Sequence, residues 1–343
     1  MANDLDAHAK PPAKLREVYK EYQKLKPAAL TNRPDLIQFD EDTSPSNDQV
    51  LVAKGTQLPQ ELRQIFLDFL SERPEHLEDI MPVRLDQSPI YQVPNLPGLL
   101  IYPSLLQPQL QLSLLDRLLH RDISNTAHKT NVHLHHHVPY PEASGTGVPG
   151  LRASYFAPTS SDLLFTPKDP ALHKPLTTSQ FLQKKLRWCT LGGQYDWTAK
   201  QYPSDAPPPF PPDLKDLIER IFPMKAEAAI LNLYSPGDTL SLHRDVSEEC
   251  AAPLVSISLG CDAVFICGLE RADGEAEVAV MRLRSGDAVL MSGESRYAWH
   301  GVPKIVEGTC LKEMEEWPGE EFDEWRGWMR GKRLNLNVRQ MFA

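Results

Sequence analysis

Apolar residues recur at helical spacing in the first part of this chain and alternate like strands in most of the rest. Leu15, Val18, Tyr19, Tyr22 and Leu25 form an amphipathic stripe that Pro27 ends. Leu62, Ile65, Phe66, Phe69 and Leu70 repeat it behind Pro59. Met1 to Pro12 predicts disorder, and Thr31 to Lys54 is polar and broken by proline. Residues 1–87 are thus expected to be a helical N-terminal extension, partly disordered, and residues 88–343 the main domain.

After Pro94 and Pro97-Gly98, the run Leu99-Leu100-Ile101-Tyr102 suits a buried strand. Ser104 stands where a cap would start a helix striped by Leu110, Leu114, Leu115, Leu118 and Leu119. Ser124 to Gln180 reads as loop. A proline run then leads into Asp213 and the helical stripe Leu214, Leu217, Ile218, Ile221 and Phe222. Ala228–Tyr234 predicts a strand with Ile230, Asn232 and Tyr234 on one face. Four more short strands follow, Leu254–Leu259, Ala263–Leu269, Glu277–Leu283 and Asp287–Ser292, separated by turn signals. This order predicts an α+β fold: a double-stranded β-helix, or jelly-roll, core with flanking helices. Residues 303–330 form an acidic insertion, expected to leave the surface and pack Trp317, Trp325 and Trp328 back.

The last strand, Gly331–Gln340, puts Leu334, Leu336 and Val338 on one face and Arg333, Asn335, Asn337 and Arg339 on the other. On an ordinary half-buried strand the polar row faces water. Inside a small barrel, two arginines with no acidic neighbour need an anionic ligand, and their forks suit a small dicarboxylate.

Composition narrows the partners. Lys plus Arg number 36 against 46 for Asp plus Glu, and the resulting charge of −10 excludes a general polyanion binder but leaves local basic patches open. Five cysteines with no C-x-x-C spacing suit free thiols in a reducing compartment. No apolar run is long enough for a membrane span, and Asp4 and Asp6 stand where a leader would be apolar. A soluble intracellular monomer is expected.

The candidate chemistry lies in the strands. His133, His135, His136 and His137 lie in a row before Pro139 with no acidic residue among them, which suits an exposed polar loop better than a metal site. His243 and Asp245 are two apart, so both side chains point the same way on an extended segment. His300, beside Gly301, is in place to return as a third ligand. Two histidines and a carboxylate form the facial triad of non-haem Fe(II) oxygenases, with zinc and manganese as plainer alternatives. The arginine face of the last strand favours iron chelated by 2-oxoglutarate. Residues 184–202 place Trp188 and Tyr195 around Gly192-Gly193, with Lys184, Lys185, Arg187 and Lys200 nearby. That arrangement is either the core of a hairpin or a stacking platform for a flipped base.

Together Asn232-Leu-Tyr234, His243-Arg-Asp245, Ser292-Gly-Glu-Ser-Arg296, His300-Gly and Arg333-Leu-Asn335 closing in Arg339 resemble the AlkB family of Fe(II) and 2-oxoglutarate dioxygenases. Trp188-x-Thr190-Leu-Gly192, Tyr195-Asp-Trp197 and Val338-Arg339-Gln340 are similar to its eukaryotic homologue 1 class. The resemblance implies iron ligation by His243, Asp245 and His300, and 2-oxoglutarate binding by Asn232, Tyr234, Arg333, Asn335 and Arg339. It further implies substrate contacts from Trp188, Tyr195 and Lys200 in a nucleotide lid. With dioxygen, such an enzyme demethylates N-methylated bases in DNA or tRNA, releasing formaldehyde and succinate. A histone or other peptide substrate is the alternative, and a non-catalytic module of the same fold is a further one. Where bacterial AlkB carries an acidic residue two places after the metal aspartate, this chain has Ser247. The class also implies a place in nucleus and cytoplasm, with a mitochondrial pool left open.

Overall fold

The computed structural model describes residues 5–6, 9–31, 33–40, 44–55, 58, 60–71, 89–142, 153–195, 203, 206–271 and 273–342. Its first elements are α1 (Ala13–Lys24), β1 (Leu36–Ile37), β2 (Leu51–Val52), α2 (Leu62–Leu70), β3 (Tyr91–Gln92), β4 (Leu99–Tyr102) and α3 (Pro108–Asp116). Next come β5 (His136–His137), β6 (Leu164–Pro167), β7 (Leu176–Thr177), the single turn α4 (Thr178–Gln180), β8 (Trp188–Gly192) and α5 (Pro212–Ile221). The barrel strands follow: β9 (Ala228–Tyr234), β10 (Leu240–His243), β11 (Leu254–Gly260), β12 (Ala263–Glu270) and β13 (Ala276–Leu283). β14 (Ala288–Met291), β15 (Trp299–Ile305) and β16 (Arg333–Arg339) complete the chain.

Two sheets carry the fold. The larger has the order β2-β3-β4-β14-β11-β16-β9-β8, and the smaller β1-β13-β12-β15-β10. Apolar residues of both, among them Ile101, Leu254, Phe265, Met281 and Val302, meet in one core between the sheets, as the jelly-roll expectation requires. A second core lies behind the large sheet, where Leu231, Ile257 and Leu336 pack against α2, α3 and α5. A third lies behind the small sheet, where Leu15 and Tyr22 of α1 cover Val264, Ile266, Val280 and Trp299. Burying each such side chain contributes roughly 1.5–3 kcal/mol.

This layering decides which way β16 faces. It runs in unbroken register between β11 and β9, with Leu336 opposite Ile257 and Leu231. Leu334, Leu336 and Val338 are buried in the helical layer's core. Arg333, Asn335, Asn337 and Arg339 therefore project between the two sheets, and the solvent-facing reading of this strand fails because helices cover the other face.

Helix and strand boundaries follow local chemistry. Pro212 opens α5, with Asp213 in its first turn and Arg220 in its last, both in accord with the helix dipole. α3 starts behind Gln107 with Pro108 in its first turn, and Ser104 does not cap it. Ser104 instead takes a positive φ of 50° and gives its N–H to Asp287 Oδ1 at 2.8 Å. The N-terminal segment is not purely helical. β1 adds in parallel to β13, and β2 pairs with β3, so both short strands complete sheet edges that helices cannot. Within the stretch expected to be disordered, the described Ala9 packs on the core beneath α1.

The loop region is also more ordered than its sequence suggests. His136 and His137 form β5 against β6, and His136 is buried with Nε2 against the Lys174 carbonyl at 2.9 Å. Trp188–Gly192 is neither a hairpin nor a free platform. It is β8, the last strand of the large sheet, in register with β9 from Trp188–Asn232 to Gly192–Ala228. In the acidic insertion Trp317 and Trp325 are buried, and Trp317 Nε1 donates to Asp116 at 2.8 Å.

Candidate metal centre

β10 and β15 are neighbours in the small sheet, and their register sets His243 opposite His300. The two rings lie 4.3 Å apart between centroids. Gly301 permits the approach, since a Cβ there would meet the Leu240 carbonyl oxygen at 2.9 Å and the Leu242 nitrogen at 3.1 Å. Asp245 follows β10 and places Oδ1 3.6 Å from His243 Nε2. Ligand atoms of His243, Asp245 and His300 all lie within 4.8 Å of one another. Adjacent donors bonded to one ion at about 2.1 Å stand about 3 Å apart, so side-chain rotations would draw the set together around an ion.

Backbone carbonyls orient both imidazoles. His243 Nδ1 lies 2.9 Å from the Ser241 oxygen and His300 Nδ1 lies 3.0 Å from that of Ala298. A carbonyl only accepts, so each Nδ1 carries the proton and each Nε2 keeps a lone pair for a metal. Burial, then the nearby His243, holds His300 down to about 4, which makes it a neutral ligand at physiological pH. Asp245 behaves oppositely. Burial pushes its carboxyl up, but nearby positive charge, that of Arg339 first, outweighs burial and holds it well below the usual carboxylate range.

Behind Asp245 stands a buried charge chain. Arg339 Nη2 donates to Asp245 Oδ2 at 2.7 Å, while its Nε lies 3.4 Å from Glu248 Oε1. Glu248 Oε2 accepts from Arg296 Nη2 at 2.9 Å. Arg296 gives its other N–H groups to the carbonyls of Ala252, at 2.7 Å, and Asp245, at 2.8 Å. Every charge in the chain has an opposite charge beside it, the condition under which buried ions are tolerated.

Two spaces open from this centre. The larger, about 410 Å³, is walled by His243, Asp245, Asn232, Tyr195, Ser247 and Arg339. Tyr195 Oη lies 3.3 Å from Ser247 Oγ across it. A narrower chamber runs between the sheets, lined by His300, Ser256, Asn335 and Arg333, and Asn337 borders both spaces. Arg333 is 1% exposed. Its Nη1 and Nη2 reach the Cys261 carbonyl at 3.2 Å and Ser258 Oγ at 2.8 Å. Its Nε and the Oη of Tyr234, its cross-strand neighbour, are buried without a partner among the described residues. Burial loosens the hold of Arg333 on its proton, and it has no ion pair among the described residues. A guanidinium so placed calls for a carboxylate. Two imidazoles and a carboxylate fit Fe(II), and the chamber from His300 to Arg333 fits a cosubstrate with a carboxylate at its far end.

The structure brings most of the expected residues together, but it separates the two arginines. Six residues of strand place their backbones roughly 20 Å apart, and the Arg339 fork is occupied by Asp245 and Glu248. Arg333 lines the chamber and Arg339 the larger space, so the two forks stand on different walls of the centre. Asn232 lines the larger space and Asn335 the chamber, where Asn335 Nδ2 also donates to Ser256 Oγ at 2.7 Å. Tyr195 reaches the centre, whereas Trp188 sits half-buried on the sheet edge opposite Asn232 and walls neither space. Lys200 lies outside the described residues. Glu248 and the role of Arg296 were missed by the sequence reading, since nothing local marks a carboxylate and a guanidinium 48 positions apart as partners.

Residues 98–339 match the 2OG-Fe(II) oxygenase superfamily. The N6-methyladenosine RNA demethylase ALKB1 of Pyricularia oryzae is 45% identical over 98% of this chain and 98% of its own. The N6-methyladenosine RNA demethylase ALKBH of Cryphonectria parasitica is 51% identical over 61% of this chain and 99% of its own. The tRNA demethylase abh1 of Schizosaccharomyces pombe is 38% identical over 74% of this chain and 82% of its own. Family match, relatives and centre agree: the chain belongs to the 2OG-Fe(II) oxygenase superfamily and, within it, to the AlkB family, beside its homologue 1 members.

Proposed function

We propose that this chain oxidatively demethylates N-methylated bases in nucleic acid, with N6-methyladenine in single-stranded RNA as its substrate. One observation carries the reading: the triad opens onto a cavity of about 410 Å³ whose aromatic wall is Tyr195 and whose carboxylates are already paired. When bound, Fe(II) and 2-oxoglutarate supply the dioxygen chemistry that hydroxylates the methyl group, giving succinate and carbon dioxide, after which the hydroxymethyl group leaves as formaldehyde.

The protein's own part is position and charge. His243, Asp245 and His300 would hold the metal, and Arg333 would hold the distal carboxylate of 2-oxoglutarate. Arg339 and Arg296 keep Asp245 ionised and aimed. Tyr195 offers a ring to stack on a base, which must leave any duplex to reach the cavity. Ser247 matters for the choice of base. Among the described residues Asp245 and Glu248 are the carboxylates on the cavity wall, and arginines hold both, so neither is left free for a cationic base such as N1-methyladenine. A neutral methylated amine meets hydroxyls instead. Two of the relatives carry N6-methyladenosine in their names, which supports the same choice.

The test incubates the purified chain with Fe(II), 2-oxoglutarate and single-stranded RNA bearing one N6-methyladenine, N1-methyladenine in the same sequence, or a methylated histone peptide. Mass spectrometry and formaldehyde release read each product. Loss of methyl from the N6-methyladenine strand, absent in His243→Ala, Asp245→Ala and His300→Ala, is expected. Turnover of the peptide alone would overturn the proposal.

A further inference from the structure

A second concavity lies on the other flank of β8, away from the metal centre. It measures about 510 Å³ and is bordered by Lys129, His133, His137, Tyr140 and Lys168, with no acidic residue among the described residues of its wall. Lys129 and Lys168 are exposed, and neither forms an ion pair among the described residues. Their ammonium groups rest on carbonyl oxygens, Lys129 on Thr126 at 3.3 Å and Lys168 on His133 at 2.6 Å, so both charges remain available to an anion. Their field is felt locally. Burial first, then Lys129 and Lys168, push His133 down to about 4.

The groove is stitched to the strand that leads into the active cavity. Lys129 donates its backbone N–H to Gln194 Oε1 at 3.0 Å, and its carbonyl accepts from the Thr190 backbone N–H at 2.8 Å. Gln194 directly precedes Tyr195, which walls the cavity. A positive groove on a chain of net charge −10, one residue from the aromatic that faces the metal, is placed to receive what extends beyond a bound base. In a single strand that is phosphate.

We infer that Lys129 and Lys168 form a phosphate-binding track that holds the backbone of the substrate strand beside the methylated nucleotide. The inference rests on the nucleic-acid reading of the active site and adds to it a requirement for strand length. Tyr140 and His137 border the track with rings on which a flanking base can stack.

The experiment compares wild type with Lys129→Glu/Lys168→Glu and Lys129→Arg/Lys168→Arg on two probes: a fifteen-nucleotide RNA with one central N6-methyladenine, and the trinucleotide around it. Affinity is read by fluorescence anisotropy over a salt series, and turnover by formaldehyde release. In the glutamate variant, affinity for the long strand is expected to fall at least about tenfold. Its log–log salt slope should become shallower by about 1.4, the contribution of two phosphate contacts on a single strand. Trinucleotide turnover should be unchanged, and the arginine variant should bind like wild type. If the glutamate variant binds the long strand with wild-type affinity and slope while both probes are still turned over, the track is refuted and the active-site reading stands. If wild type demethylates neither probe, the active-site reading fails and the track with it.

Discussion

Arg339 of the large sheet and Asp245, in the segment that follows β10 of the small sheet, meet at 2.7 Å, so the large sheet fixes a carboxylate that stands beside the small sheet's histidines. Removing one partner of such a buried pair costs about 3–5 kcal/mol. Arg339→Gln is therefore expected to weaken Mn(II) binding, measured by calorimetry on the apoprotein, by at least about a hundredfold. The affinity of manganese-loaded protein for 2-oxoglutarate should change far less, and a large selective loss of cosubstrate affinity would return Arg339 to the role of cosubstrate ligand.

Arg333 should respond in the reverse sense. It is buried and forms no ion pair among the described residues, and since replacing even a buried ion pair by apolar side chains of similar volume is often neutral or stabilising by about 1–4 kcal/mol, its removal should not cost stability. Arg333→Met is expected to melt at or above the wild-type temperature without cosubstrate. It should also lose the further rise that 2-oxoglutarate gives wild type, worth about 2.7 kcal/mol at a hundred times the dissociation constant. A retained rise would show that the distal carboxylate binds elsewhere.

Tyr195 and Trp188 are both aromatic, yet the structure gives them different work. Tyr195→Ala should reduce turnover of methylated RNA by the loss of one stacking face, about 1–3 kcal/mol, while metal and 2-oxoglutarate affinities hold. Trp188→Ala should act mainly on the β8 edge and lower the melting temperature. Equal effects of the two variants on substrate KM would place Trp188 against the base as well.

Asp287 provides a pH test remote from the metal. Its carboxylate accepts N–H groups from Ser104 and Arg284, at 2.8 and 2.7 Å, but burial pushes its pKa up to about 6. The folded state thus retains a proton that the unfolded state, near pH 4, has already released. The stability this contributes is complete below about pH 4 and is lost as pH rises to about 6, on the order of 3 kcal/mol. Asp287→Asn should remove that decline, seen as a urea midpoint at pH 7 that stands higher relative to the midpoint at pH 4 than in wild type. An unchanged difference would mean that Asp287 is ionised throughout.

Period-two alternation made the barrel strands legible, and two-residue spacing made His243 and Asp245 legible as a pair. The same alternation could not tell which side of β16 faces the core, because helices cover one side and the second sheet covers the other. β1 and β2 are two residues long, too short to show any period. Ser104 misled because serine suits both a helix cap and a turn, and only contact with Asp287 selects the turn. Glu248 was invisible for a different reason: its meaning depends on two arginines that approach it from distant parts of the chain.

The N-terminal segment has a consequence for how the chain is made. Ile37 pairs with Met281, and α1 covers strands that are translated long after it. At roughly 5–20 residues per second, Leu15, Tyr22 and Ile37 leave the ribosome tens of seconds before their partner strands exist. Through that interval an apolar helix stripe and a lone strand wait unpaired, exposed to chaperones and to neighbouring chains. A segment synthesised early is thus among the last to dock, and it has to be kept from other partners until the strands from Val264 to Trp299 have been made.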